Sequence, residues 1–256
     1  MNKPKSISLV IIDTDVSPLA RSAVERTISL FPVDEVLIFS SRDCQWGNFP
    51  VIPIQKITSL ADYNRILLAD LPHKLSSDFA LIIQFDGFVI DPSSFSDFFY
   101  KFDYIGAPWP DGTVPGQGAM VGNGGFSLRS KRLIEAVANC QPAIMVDVSE
   151  DVTICRLLRP LLEERDGICF APVEVARHFS IEFEDIKDSA SFGFHGLHIL
   201  PRIYQDDYKF LIDNLPTRCF QLGSYQLHCL QKGFSHLNAE AQRLFADRAK
   251  KISLVT

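Results

Sequence analysis

The residues best suited to chemistry lie in four short segments: Gln84-Phe85-Asp86-Gly87, Val121-Gly122-Asn123-Gly124-Gly125-Phe126, Glu150-Asp151-Val152 and Phe194-His195-Gly196. An Asp with a distant His suits an open metal site. Mg2+ or Mn2+ keeps several positions for phosphate oxygens and water, so the protein need supply only a few ligands. Gly122, Gly124 and Gly125 would let backbone approach a sugar closely, because no Cβ intervenes. Asn123 offers the donors and acceptors that sugar hydroxyls require. Glu150 and Asp151 fall in the first turn of an expected helix, where the dipole favours an ionised carboxylate. Such a carboxylate can take the proton of a substrate hydroxyl as it attacks. Each segment also has a plainer reading: Asp86 with Gly87 makes an ordinary turn, and acidic residues stabilise first turns without any chemistry.

The elements that must position these residues follow from periodicity. Leu81 to Phe85 reads as a strand covered on both faces, which sets Gln84 and Asp86 on one side of an extended chain. Ile7 to Ile12 is a first strand ending in Asp13-Thr14-Asp15, and Pro18 to Leu30 an amphipathic helix. Val36 to Phe39 is a second strand, Val51 to Ile54 an edge strand that tolerates Pro53, and Leu60 to Leu71 a helix. The alternation predicts a three-layer α/β/α fold on a mainly parallel mixed sheet. Ligands collect at the carboxyl ends of such strands, where Asp13, Asp15, Ser41 and Asp86 fall. Downstream, Phe126 to Leu128 is extended and Lys131 to Asn139 helical. Asp147 or Ser149 caps a helix that runs from Glu150 until Pro160 disturbs it. Ile168 to Ala171 is a further strand, and Tyr208 to Leu215 and Asn238 to Lys250 are helices.

Composition narrows the class. The chain has 256 residues, 46% hydrophobic and 22% charged, with a net charge of −6. It carries no long basic stripe, so nucleic acid is not an expected partner. The six cysteines contain no C-x-x-C pair and fit neither a zinc site nor a disulfide framework. Reduced thiols in a cytoplasmic protein are the expectation. The apolar run Ile7 to Ile12 is too short for a signal segment or a membrane span. A soluble protein is therefore expected, with peripheral membrane attachment left open.

Taken in order, Gln84 to Ile90, Phe102-Asp103-Tyr104-Ile105-Gly106-Ala107-Pro108-Trp109, Val121 to Ser130, Glu150-Asp151-Val152, Phe170-Ala171-Pro172 and Phe192 to Gly196 resemble the DUF5672 family. That family has a GT-A-like organisation and is read as glycosyltransferases. The resemblance spans residues 7 to 198, and the motif order is also similar, more distantly, to that of inverting galactosyltransferases. It implies a GT-A-like domain over residues 1–200, with 201–256 a helical extension packed on it. It also implies transfer of a sugar from a nucleoside diphosphate donor, with UDP expected, to a glycan-type hydroxyl, assisted by Mn2+ or Mg2+.

On that resemblance Asp86 and His195 are the metal ligands, Asp151 is the catalytic base and Glu150 its neighbour on the acceptor side. Asn123, Gly124 and Gly125 lie by the donor sugar and acceptor. Asp13, Thr14, Asp15, Gln84 and Asp86 face the nucleotide, and Arg65 its diphosphate or solvent. Trp109 either stacks on an acceptor ring or packs internally, and Arg129 and Arg177 are secondary candidates for phosphate. One position departs from the pattern. Gln84 stands where a first Asp is expected and supplies no anionic ligand. That substitution favours a second class, a sugar- or nucleotide-sugar-binding module without turnover. A nucleotidyltransferase is the third, disfavoured because Asp13 to Pro18 contains neither glycine nor lysine.

Overall fold

Ile7-Ser8-Leu9-Val10-Ile11-Ile12 offers no charged face, and this strand, β1 (Ile7–Ile12), is buried along its whole length. The computed structural model describes residues 4–14, 17–41, 46–110, 120–141, 147–183 and 190–253. Helix α1 (Pro18–Leu30) follows, with Ser17 Oγ accepting from the Ala20 amide at 3.1 Å and Pro18 in the first turn. Strands β2 (Glu35–Ser41) and β3 (Val51–Ile54) extend the sheet to one side of β1. The chain returns through α2 (Leu60–Arg65) to set β4 (Phe79–Ile83) on the other side. Then come β5 (Tyr104–Gly106), the small antiparallel pair β6 (Pro108–Trp109) and β7 (Met120–Val121), and β8 (Ser127–Ser130).

The sheet order is β3-β2-β1-β4-β8-β5. β1 pairs in parallel with β2 and β4, and β2 with β3, while β8 runs antiparallel to β4 and β5. The α/β class and the mixed, mainly parallel sheet are thus as the sequence predicts. The chain reverses its direction of travel across the sheet between β1 and β4. A crevice opens at the carboxyl ends of two such strands, and it is here that Asp13 and Gln84 emerge.

Alternation along β1 and β4 builds a core on each face. Leu9, Ile11, Leu81 and Ile83 join α1 and the C-terminal helices, whereas Val10, Ile12, Ala80 and Ile82 meet the helical turns after α2. Full burial of each large side chain contributes roughly 1.5–3 kcal/mol.

Beyond β8, helix α3 (Lys131–Asn139) is capped by Ser130 Oγ, which accepts from Leu133 N at 3.0 Å. α4 (Glu150–Val152) passes through a π-helical stretch, Thr153–Leu158, into α5 (Arg159–Asp166). α6 (Val173–Phe179) leads to β9 (Ser180–Ile181), which pairs in parallel with β10 (Gly193–Phe194). The chain finishes with α7 (Leu200–Ile203), α8 (Tyr208–Asn214), a 3-10 turn Thr217–Phe220, α9 (Tyr225–Phe234) and α10 (Ala239–Ser253). Residues of this last part share the main core with β1 and α1, and Tyr204 Oη donates to Ser22 Oγ at 2.9 Å. No helix among the described residues is long and apolar enough to cross a membrane.

Several local expectations are corrected. β4 stops at Ile83, so Gln84 and Asp86 are not successive positions on one strand face. The helix expected over Leu60 to Leu71 is α-helical only to Arg65, then widens into a π turn (Ile66–Asp70) and tightens to 3-10 at Leu71–His73. Pro72, which has no N–H, breaks the regular ladder there. Pro160 does disturb its helix, as expected, without ending it: the stretch before it, Thr153–Leu158, widens to π-helical and α-helix resumes at Arg159. The capping box between Asp147 and Glu150 does not form; Ser149 holds the N-cap position, and Glu150 is engaged elsewhere. The strand expected at Ile168 to Ala171 contracts to a single bridge between Phe170 and Tyr104.

Candidate functional site

After β4 the backbone closes a tight turn, in which Gln84 N donates to Gly87 O at 2.9 Å and Gly87 N to Gln84 O at 3.1 Å. The turn splits the two polar side chains. Gln84 Nε2 donates to Tyr63 Oη at 2.8 Å, on the α2 side. Asp86 points the other way, with Oδ1 3.9 Å from His195 Nε2. The segment after β10 is fastened to this turn, since Gly196 N donates to Asp86 O at 2.7 Å, and to β9, since His195 N donates to Ile181 O at 2.8 Å.

His195 is held between two carboxylates. Its Nδ1 lies 3.2 Å from Glu182 Oε1. The β9–β10 register pairs Ile181 with Phe194, so the next residue of each strand, Glu182 and His195, meets the other. Burial pushes the imidazole toward neutrality, but the Glu182 hydrogen bond and the Asp86 and Glu182 charges outweigh it and raise its pKa to about 9. Burial raises the Asp86 carboxyl, with His195 offsetting part of that. Asp86 Oδ1 and Glu182 Oε2 are buried without a hydrogen-bond partner among the described residues. Such atoms are costly unless a cation or a donor completes them.

The glycine segment packs against the same imidazole. A Cβ on Gly125 would stand 2.2 Å from His195 Nε2, and one on Gly124 2.1 Å from Glu150 Oε1. The missing side chains are therefore filled by the protein's own site residues. Asn123 has φ +27°, and its Oδ1 accepts from Gly125 N at 3.0 Å. Its carbonyl accepts from Tyr104 Oη at 3.0 Å. An Asn at this backbone angle stabilises the bend by bonding its own loop.

Asp151 stands across the loop. Its Oδ2 accepts from Gly124 N at 2.9 Å and its Oδ1 from Val152 N at 2.8 Å and from the Ser149 hydroxyl. A carboxylate has about four acceptor positions, so one remains for a hydrogen from outside. Glu150, its neighbour, is turned inward and forms a two-pronged ion pair with Arg129, Nη1–Oε2 2.7 Å and Nη2–Oε1 3.0 Å. Both are buried, at 2% and 1% exposure, and Arg129 also donates to Ser127 Oγ and Gly124 O. Burial raises the Glu150 carboxyl and Arg129 opposes it. The pair braces the glycine loop from beneath.

These groups meet at a cavity of about 390 Å3, with Asp13, Thr14, Gln84, Asn123, Gly124, Gly125, Glu150, Asp151 and His195 in its wall. Asp86 lies behind His195 rather than in the wall. Arg65 is not in the wall either; its side chain is 58% exposed and stands 3.8 Å from Asp62. Trp109 takes the packing alternative. It is buried, it fills the space a Gly122 Cβ would need, and Arg156 lies 5.2 Å over its ring. Arg129 is consumed by Glu150, and Arg177 on α6 lies outside the cavity wall. Asp15 lies outside the described residues.

The cavity adds residues that sequence reasoning did not single out: Tyr63, Ser149 and Arg218 in the wall, and Glu182 behind His195. Tyr63 was legible, because it shares a helix face with Leu60, three residues earlier, while Arg65 turns away. Burial and the nearby Glu150 charge push its phenol up, which keeps it a hydrogen donor. Glu182 and Arg218 carry no local signal.

Among the described residues no group of three or more His, Cys, Asp or Glu side chains converges as a metal cluster. Asp86 and His195 nevertheless fit a site of the open kind. A carboxylate oxygen without a partner faces an imidazole nitrogen, and a hard cation with few protein ligands completes its shell from phosphate and water.

Residues 48–195 match the model of a family described as a protein of unknown function, DUF5672. No curated protein matches the chain. Among solved structures, a glycosyltransferase involved in glycosylation of the major capsid of PBCV-1 is 11% identical, with 74% of this chain and 93% of that chain covered and a TM-score of 0.48. A mannosyltransferase from Pyrobaculum calidifontis in complex with GDP-Man and Mn2+ is 11% identical, with 99% and 76% covered and a TM-score of 0.49. Glucosyl-3-phosphoglycerate synthase from Mycobacterium tuberculosis is 13% identical, with 50% and 57% covered and a TM-score of 0.35.

Proposed function

This chain belongs to the DUF5672 family, and from that membership and the cavity geometry we propose that it is a GT-A-like glycosyltransferase. It moves a sugar from a nucleoside diphosphate donor, UDP-linked, to a hydroxyl of a glycan-type acceptor by a single inverting displacement. The observation that carries this reading is the orientation of Asp151. Three donors hold the carboxylate, one acceptor position remains, and it lines a cavity at the carboxyl ends of β1 and β4.

In this mechanism the nucleotide lies over Asp13, Thr14 and Gln84, at the switch in strand order. Asn123, Gly124 and Gly125 form the part of the wall beside which the sugar and acceptor hydroxyls lie. Asp151 accepts the proton of the attacking hydroxyl as the bond to the sugar forms. Glu150 stays paired with Arg129 and keeps the loop at the height that Asp151 needs. Asp86 and His195 would hold Mn2+ or Mg2+, which supplies charge neutralisation for the departing diphosphate.

The test is a panel of nucleotide sugars assayed for donor hydrolysis and transfer, with wild type beside Asp151→Asn. The expected result is turnover with at least one donor and its loss, by about 100-fold or more, in a variant that melts like wild type. Undiminished turnover in Asp151→Asn overturns the assignment of the base. The second reading, a nucleotide-sugar-binding module without turnover, is favoured by Gln84, whose amide is already committed to Tyr63. Calorimetric binding of UDP with no turnover across the panel would select it.

A further inference from the structure

The cavity wall is acidic for a site that would hold a diphosphate. Asp13, Glu150 and Asp151 line it and Asp86 lies behind it, with Arg129 paired to Glu150 and His195 beside Asp86. Two basic side chains reach the wall among the described residues, His195 and Arg218. Arg65, the cation expected for the diphosphate, is turned to solvent.

Arg218 belongs to the 3-10 turn Thr217–Phe220, in the C-terminal part of the chain. Its neighbours in the turn are anchors. Cys219 and Phe220 are each 1% exposed, Leu215 is buried just upstream, and Phe220 lies against Phe245 of α10 with ring centroids 5.7 Å apart. Arg248 of α10 donates to Leu215 O at 3.1 Å and fixes the start of the turn. With Cys219 and Phe220 driven into the core, the exposed Arg218 is directed to the opposite side, where the cavity lies. Its charge is near enough to lower the Asp86 carboxyl pKa.

We infer that Arg218 binds the diphosphate of the donor, so that the C-terminal segment completes the nucleotide site from the side opposite β1 and α2. The inference rests on the nucleoside diphosphate reading above. A guanidinium presents several N–H donors in a planar fork and suits phosphate oxygens, whereas His195 offers at most one free donor beside Asp86.

Calorimetry with UDP, GDP, uridine and guanosine, in the presence of Mn2+, tests it on the full chain. Wild type should bind one diphosphate well above its nucleoside. Arg218→Ala should lose about tenfold or more of that diphosphate affinity and keep the nucleoside affinity, with Arg218→Lys recovering part. Arg65→Ala should bind as wild type does. Both variants alter exposed side chains and should melt like the parent. Undiminished diphosphate binding by Arg218→Ala overturns the inference and leaves the functional reading standing. A wild-type protein that binds neither diphosphate overturns both.

Discussion

Gly125 and His195 share one space: a Cβ on the glycine would lie 2.2 Å from the imidazole Nε2. No rotation of a methyl group relieves such a contact, so either the imidazole or the loop must move. Gly125→Ala is expected to displace His195 from Asp86 and to lower Mn2+ affinity, while destabilising the fold by about 1–3 kcal/mol as an overpacked site. Metal titration beside thermal melting separates the two effects. Wild-type Mn2+ affinity in this variant would remove His195 from the metal site.

Glu182 is expected to act on metal through His195. In the neutral imidazole that a metal requires, Nδ1 donating to Glu182 Oε1 would leave the lone pair on Nε2, which faces Asp86, and with the pKa raised to about 9 the metal would displace a proton there. Loss of such an orienting partner typically weakens metal binding by about 10–100-fold. Glu182→Ala should show that loss in a Mn2+ titration followed by electron paramagnetic resonance. Glu182→Gln, which still accepts a hydrogen bond, should show less. Equal affinities across the three proteins would argue that Glu182 only fills space.

The buried Arg129–Glu150 pair is expected to be costly to break and cheaper to replace. Arg129→Met leaves Glu150 without its counterion at 2% exposure, and the expected loss in chemical denaturation is about 3–5 kcal/mol. The double variant Arg129→Met with Glu150→Leu should recover a large part of it. Additive losses in the double variant would mean that the two side chains do not act as a pair.

Asp103 is expected to shape the acid limb of stability. It is costly to bury, but Arg132 Nη2, Ser130 Oγ and Cys169 N all donate to its carboxylate, and the donors prevail, holding its pKa below the usual value. A group depressed in the folded state stabilises fully above its unfolded pKa, about 3.9. That contribution fades as pH falls through the lower folded value. Asp103→Asn should therefore be less stable at neutral pH, with the difference shrinking below about pH 4. A difference that persists unchanged at low pH would assign the effect to hydrogen bonding alone.

How much of this was legible in the chain varies with the range of the interaction. Helices α1 and α3 and strands β1 and β3 run between the residues that periodicity and capping residues mark, because those signals act within a few residues. The turn at Gln84 to Gly87 was harder. The plainer reading of Asp86 with Gly87 was a turn, but carrying the strand on to Phe85 set Gln84 and Asp86 on one face, and only the closing hydrogen bonds show that they diverge. The same limit applies to Glu150: beside Asp151 in sequence, it reads as a second catalytic acid until Arg129, 21 residues upstream, is seen to claim it.

By itself the sequence determined the layers of the fold, the strand ends at which polar residues gather, and the family to which the order of its motifs belongs. Hydrophobic period and turn chemistry are local and additive, and they survive without knowledge of the rest of the chain. Tertiary structure alone decided which polar residues meet. The β9–β10 register brings Glu182 to His195, the reversal between β1 and β4 opens the crevice, and the burial of Cys219 and Phe220 turns Arg218 toward it. Each of these depends on packing between segments far apart in the chain, where the fit of whole elements, and not the type of any one residue, sets the geometry.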